Sequence, residues 1–378
     1  MIYIMKIDKY NIKIPPVDID VDVEHLINLN SELNNELTYW KNKIDNDPSW
    51  DQFKKFTNEY EFIISRNDSC NKKKPLSRSY FKLWEILHDF DIIKNDITVA
   101  HIAEGPGGFI ESLCDYITKY NITCENIYGI TLLSSDRKIP NWKLSNTLLN
   151  TYPICLNSQH TNIGDLYDIT NIDKFISTVG YKKCEFVTAD GGFDFSKDFN
   201  NQENTFYKLL LCEIYTTLSI QKTGGTFLVK VFDLFQHHTI KLLCCCKAFY
   251  SEMYIIKPNT SRPANSEKYI LFKGFEGLDT SNKHEIVNEL RKHIVDSNHD
   301  MTFDYKYLPD DLYYMMLDCV TKYNIYYTFR QISYIKKTLD LVELKNNDED
   351  KYKSIIKTIN NKNTESCNKW CEKYKLCI

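Results

Sequence analysis

Residues 97–120 read ITVAHIAEGPGGFIESLCDYITKY: a short apolar run, a glycine-rich turn and a helical pattern in direct succession. The opening residues are apolar or β-branched and fit a buried strand. Gly105, Gly107 and Gly108 let the backbone turn sharply and approach a ligand where a Cβ would collide. The amides that open the following helix favour a polar or anionic group. Strand, glycine-rich turn and helix in this order form a cofactor cradle in open α/β sheets, although a plain tight connection has the same composition. The spacing fits neither a Walker P-loop, which ends Gly-Lys-Ser/Thr, nor a strict dinucleotide fingerprint.

Outward from this stretch, helical patterns alternate with the apolar segments NIYGITLL, CEFVTAD, TFLVKVF and KYILFKG over about 76–275. Such alternation predicts a largely parallel sheet flanked by helices. Before it, VEHLINLNSELNNELTYWKNKI carries Leu26, Leu29, Leu33, Leu37 and Trp40 at three- and four-residue steps, the period of an amphipathic helix. The expected organisation is a helical extension over 1–70, a central domain over 71–280, and a helical, tyrosine-rich region over 281–378. That last region ends in a polar tail rich in Asn and Lys.

The 378 residues are 43% hydrophobic, enough for a substantial core, and hold no apolar run long enough to span a bilayer. The first residues, MIYIMKIDKYNIKIPP, are too charged for a signal peptide, so the cytosol or nucleus is the expected location, with no membrane partner. The 13 cysteines then read as free thiols. Net charge is −4, but a nucleic-acid enzyme needs only a local basic surface. Between Arg66 and Lys82 six basic residues face one acid, Asp68.

Four charged residues stand at strand or helix positions that topology brings together. Lys82 lies on the helix before the first strand of the domain. Asp190 closes CEFVTAD and precedes Gly191-Gly192-Phe193, and Lys230 closes TFLVK. Parallel strands present their C-terminal ends at the ligand edge. A last strand running antiparallel would bring Glu267, at the start of EKYILFKG, to the same edge.

The order SRSYFK, EGPGGF, ADGGF, LVKVFD, SRPANSEKY resembles the FtsJ-like family of RNA ribose 2′-O-methyltransferases, and within it the eukaryotic and viral mRNA-cap enzymes. The resemblance covers about 76–275. It implies a Rossmann-like class I methyltransferase fold, α/β with a mostly parallel seven-stranded sheet, here with helical N- and C-terminal extensions. It implies S-adenosylmethionine as cofactor and no metal. The family's Lys-Asp-Lys-Glu tetrad falls on Lys82, Asp190, Lys230 and Glu267, and its cofactor turn on Gly105, Pro106, Gly107, Gly108 and Phe109. Its Gly-Asp pair beside the adenine falls on Gly164-Asp165. Many members have an acid where this chain has His101, so Glu104 is assigned with His101 to the cofactor's methionine end, and Asp190 is counted with the cofactor residues as well. The implied substrate is capped mRNA. Ribosomal or transfer RNA, or an inactive RNA-binding subunit of the same fold, are the alternatives, and a capping enzyme or polymerase is a possible partner.

Methyl transfer to a hydroxyl needs alignment and removal of a proton. A lysine accepts a proton only when neutral, so Lys230 as base or hydroxyl-orienting group should have a lowered pKa, with Lys82 as the cation that lowers it. Asp190 and Glu267 would position the two amines. Lys72, Lys73, Lys74, Arg78 and Arg262 are the candidate RNA contacts. The aromatics considered for stacking on a cap are Tyr80, Phe193, Phe195, Phe232, Phe235, Tyr305, Tyr307, Tyr313 and Tyr314. His237 and His238 read as the start of a helix. Cys244, Cys245 and Cys246 read as core thiols, and Cys367, Cys371 and Cys377 lack the spacing of a zinc site.

Overall fold

The computed structural model describes residues 10–11, 22–44, 49–63, 74–158, 163–193, 200–278, 280–296 and 310–376. In chain order the strands are β1 (Tyr10–Asn11), β2 (Ile97–Ile102), β3 (Cys124–Ile130), β4 (Ile154–Leu156), β5 (Cys184–Ala189), β6 (Gln221–Val231), β7 (Tyr250–Ile256) and β8 (Lys268–Phe275). They form one sheet in the order β1-β7-β8-β6-β5-β2-β3-β4. Seven strands make the sheet proper, and the two-residue β1 adds an edge to β7. Pairs among β2, β3, β4, β5 and β6 are parallel, whereas β8 runs antiparallel to both β6 and β7.

The helices are α1 (Val23–Ile44), α2 (Trp50–Phe53), α3 (Ser79–Phe90), α4 (Gly108–Lys119), α5 (Asn146–Thr151), α6 (Ile169–Val179), α7 (Gln202–Ile220), α8 (His237–Lys247), α9 (Ser281–Val295), α10 (Asp310–Asn347) and α11 (Glu349–Lys373). None is long and apolar enough to cross a membrane. Both faces of the sheet are covered, as the continuous burial of β2 requires. Ala100 and Ile102 face the core shared with α6, α7, α8 and α10. Ile97 and Val99 face the core shared with α3 and α4.

The extensions are built onto this frame. Helix α1 buries Leu33, Leu37 and Ile44 against Ile332 and Ile335 of α10 and Phe235. The segment expected to be a polar tail is instead the 25-residue helix α11. It sends Cys367, Trp370 and Cys371 into the core beside Phe81 and Trp84. Its apolar residues are too sparse to announce a helix locally, and what fixes it is the buried stripe at its C-terminal end.

Candidate active site

The glycine-rich turn sits where β2 ends. Gly107, at φ 108°, caps α4 in a left-handed conformation that favours glycine. The close approaches are to the protein itself. A Cβ on Gly105 would stand 1.9 Å from the Pro140 carbonyl oxygen, and one on Gly108 would meet the hydroxyls of Ser77 and Ser79. The 131–145 loop therefore folds over the turn, held by Gly105 N donating to Thr131 Oγ1 (3.0 Å) and Lys143 N to the Pro106 carbonyl (3.0 Å). Phe109 is buried and packs near Tyr269. These glycines thus serve packing as well as any ligand.

His101 corrects an expectation. It is fully buried inside the sheet, with Nδ1 2.8 Å from Thr188 Oγ1 and 2.8 Å from Glu104 Oε2, so it lies behind Glu104 rather than on a ligand surface. The β2 register that places a side chain opposite Thr188 of β5 puts it there. Burial raises the Glu104 carboxyl, and His101 only partly offsets this. Gly164 has φ 72°, and a Cβ there would meet the Thr131 carbonyl. It turns the chain so that Asp165, which accepts a bond from Tyr167 N at 2.9 Å, follows directly. Leu132 and Ile163, both exposed, flank this corner.

The four charged residues do converge. Lys82, one turn into α3, pairs with Glu267 at 2.7 Å, and Lys230, at the end of β6, lies 3.2 Å from Asp190 Oδ1. Lys230 Nζ also donates to the Asp190 carbonyl at 2.8 Å. Glu267 comes just before β8, whose antiparallel direction brings it to the edge where β5 and β6 end. Burial would raise its carboxyl, but Lys82, then Lys230 and Lys257, pull it down to about 2. Burial works against the Lys230 ammonium too, yet Asp190 and Glu267 outweigh it and hold Lys230 above the ordinary lysine range. This reverses the lowered value expected of a base. The reason is geometric: the Lys82 charge is matched by Glu267, so carboxylates dominate the field at Lys230.

Three further residues build the site and carry no local signal in the sequence. Tyr269 donates from its hydroxyl to Asp190 Oδ1 at 2.8 Å. Glu213, fully buried on α7, accepts from Gly191 N at 3.2 Å and so fixes the turn after Asp190. Burial drives its carboxyl well above the ordinary range, and Oε2 has no hydrogen-bond partner among the described residues. Lys257 is buried and donates to the Glu267 carbonyl (2.7 Å) and to Asn265, which ties the loop before β8.

The expected RNA contacts fare unevenly. Lys72 and Lys73 lie outside the described residues, while Lys74 is exposed. Arg262 makes two bonds to Glu61, at 2.9 and 2.7 Å. Arg78 donates to the Glu61 and Thr260 carbonyls at 3.0 and 2.7 Å. Both guanidinium groups are therefore committed to holding the segment around Glu61 against the 258–267 loop, because desolvated arginines need such partners. Among the aromatics, Phe195, Tyr305 and Tyr307 are outside the described residues. Tyr80, Phe232 and Phe235 are buried, whereas Phe193 and Tyr314 are exposed. His237 begins α8 and shares a 2.5 Å hydrogen bond with Tyr313. Cys244, Cys245 and Cys246 are buried free thiols, as are Cys367 and Cys371; Cys377 is not among the described residues.

Residues 75–275, just over half of the chain, match the FtsJ-like methyltransferase family. A mouse cap-specific mRNA (nucleoside-2′-O-)-methyltransferase 2 is 28% identical over 272 residues, which cover 66% of this chain and 34% of that protein. A Caenorhabditis briggsae cap-specific mRNA (nucleoside-2′-O-)-methyltransferase 1A is 33% identical over 225 residues, covering 57% and 24%. The Autographa californica nuclear polyhedrosis virus cap-specific mRNA (nucleoside-2′-O-)-methyltransferase is 32% identical over 235 residues, covering 61% and 84%. The chain thus spans about a third or less of the length of these animal relatives and most of the viral one.

Proposed function

The chain belongs to the FtsJ-like methyltransferase family, and on that footing we propose that it transfers a methyl group from S-adenosylmethionine to the 2′-hydroxyl of a cap-proximal ribose in mRNA. The observation that carries the reading is the pairing of Lys82 with Glu267 and of Lys230 with Asp190 at one sheet edge, beside the glycine-rich turn. The names of the animal and viral relatives favour a capped substrate.

The residues present fit the cofactor. It supplies a methyl group on a cationic sulfonium, and its amino-acid end carries an ammonium. Glu104 and Glu213 are buried carboxyls within reach of each other's charge and of Asp190, and burial raises both, with His101 and Lys230 offsetting it only in part. An added cation stabilises such groups. Asp165 offers an acceptor, and Leu132 and Ile163 offer apolar faces for a purine ring.

At the reacting edge, Lys230 and Asp190 orient the hydroxyl, and Lys82 and Glu267 hold the second amine–carboxylate pair beside them. Alignment of this kind supplies much of the rate of a bimolecular displacement. Lys230 takes up the hydroxyl proton from its neutral form, so the reading requires that ligand binding bring it down, as an extra positive charge in the cluster does. Phe193, exposed just beyond Gly191-Gly192, is the aromatic best placed to stack on a methylated guanine.

The test is labelled methyl transfer to short RNAs that are uncapped, capped without N7-methylation, or N7-methylated, with nuclease mapping of the product. Labelling confined to capped RNA supports the reading. Equal labelling of uncapped RNA sinks the cap assignment and points to ribosomal or transfer RNA, and no labelling of any RNA points to an inactive binding subunit.

A further inference from the structure

The N-terminal helix carries one lysine that does not belong on its buried face. Helix α1 buries Asn30, Leu33, Leu37, Lys41 and Ile44, a single stripe at helical spacing. An ammonium in that stripe is costly unless it is paired and hydrogen-bonded. Lys41 is 5% exposed and meets Asp233 Oδ2 at 2.7 Å, and Asp233 is 7% exposed. The same carboxylate accepts from Ser266 Oγ at 2.9 Å and lies 3.4 Å from Lys268 Nζ. Burial would raise Asp233, but Lys41 and Lys268 hold it below the usual carboxylate range, so the bridge is ionised.

The place of Asp233 gives this bridge its meaning. It lies three residues after Lys230, and its partners Ser266 and Lys268 flank Glu267. The neighbouring residues are tied in the same manner. Lys268 Nζ donates to the Phe232 carbonyl (2.9 Å), and Asn324 of α10 donates to the Leu234 carbonyl (2.8 Å). The amides of Phe235 and Gln236 both donate to buried Glu203 at 3.0 Å. Every residue from Phe232 to Gln236 therefore has a polar tie, and α1 and α10 each supply one.

We infer that Lys41 is a positioning residue of the active site: through Asp233 the N-terminal helix clamps the segment after Lys230 to the segment around Glu267. The extension is then part of the catalytic unit. An apolar residue at position 41 would keep the helix face buried but leave Asp233 without its partner on α1. Removing one partner of a buried ion pair leaves an uncompensated charge and destabilises the contacts around it.

The inference rests on the methyl-transfer reading, and two readouts separate their failures. In the full-length chain, Lys41→Met is expected to lower kcat on N7-methylated capped RNA at least tenfold, with cofactor Kd and RNA KM changed less than threefold. Lys41→Arg should recover most of the loss. Val342→Ala, in the separate cluster where Phe53 of α2 meets α10, controls for stability and should keep kcat well below its melting temperature. Independently of activity, hydrogen exchange at Phe232–Gln236 should quicken in Lys41→Met and stay slow in Val342→Ala. Unchanged exchange in Lys41→Met, equal quickening in both variants, or wild-type kcat in Lys41→Met would overturn the inference. A wild-type chain that methylates no RNA would instead overturn the functional reading and leave the exchange result to judge the clamp.

Discussion

Lys230 and Tyr269 stand opposite each other in the antiparallel register of β6 and β8, and both reach the same oxygen of Asp190. Lys230 Nζ is 3.2 Å from Asp190 Oδ1, and the Tyr269 hydroxyl donates to it at 2.8 Å. The carboxylate is thus held from the strand beside it and from the strand beyond, which fixes where the lysine points.

Tyr269→Phe removes one of these holds without opening a cavity. A buried hydrogen bond of this type contributes about 1–2 kcal/mol. The variant is expected to melt slightly lower and to show kcat reduced about tenfold, a loss of the order of that bond's energy, with cofactor affinity nearly unchanged. Calorimetry and steady-state kinetics on one preparation check both parts. A kcat equal to wild type would mean that Lys230 alone orients Asp190.

The raised Lys230 gives a pH dependence with a definite sign. In the free chain Asp190 and Glu267 keep the ammonium protonated above the ordinary range, so the neutral form is scarce at neutral pH and grows as pH rises. The ratio kcat/KM, which reports the free enzyme, is expected to climb across the accessible alkaline range without a plateau. The profile of kcat should level off at lower pH, because the bound state lowers Lys230. Coincident profiles would exclude Lys230 as the titrating base.

Gly105→Ala tests the loop that closes over the turn. The new Cβ would stand 1.9 Å from the Pro140 carbonyl oxygen, a backbone atom that cannot rotate away. Overpacking of this kind costs about 1–3 kcal/mol. The 131–145 loop must shift, so cofactor affinity should fall by about tenfold or more, that being the equivalent of about 1.4 kcal/mol, and the melting temperature should drop. Wild-type cofactor binding by calorimetry would show that the loop takes no part in the cradle.

How much of this was legible from the chain can be judged at single residues. Asp190 and Lys230 announce themselves because they close patterned strands, Lys82 is singled out inside its helix by the family resemblance, and Glu267 follows once the last strand is taken as antiparallel. The turn at Gly105–Gly108 is legible by composition, but its packing against Pro140 and Ser77 is not. Tyr269, Glu213 and Lys257 look like ordinary strand or helix residues, since their partners are distant in sequence. Lys41 did leave a trace, a lysine in register with Leu33, Leu37 and Ile44 where an apolar residue is the rule. The pairing of Arg78 and Arg262 with Glu61 was not legible, because a basic residue near a site reads the same whether it faces phosphate or a carboxylate.

Glu203 links stability to pH. Burial beneath the segment after Lys230 pushes its carboxyl from the ordinary 4.5 up to about 7. The fold favours the protonated form, so this contribution is complete below about pH 4 and is lost as pH rises through about 7. Wild type should therefore lose stability between pH 5 and about pH 8, by up to about 3 kcal/mol from this group. Glu203→Gln should show a flatter slope in denaturant titrations at the two pH values. Parallel slopes would remove Glu203 from the account.

The central claim, that the acceptor is a cap-proximal ribose hydroxyl, has a direct measurement. Methyl incorporation is compared on an N7-methylated capped RNA and on the same RNA with 2′-deoxyribose at its first few nucleotides, using wild type and Lys230→Ala. The all-ribo RNA should be labelled by wild type, and Lys230→Ala should be slower by about 10²–10⁴-fold, the span of a positioned proton-transfer group. The deoxy RNA should take up no label. Undiminished labelling of the deoxy RNA would place the methyl group elsewhere and contradict the assignment.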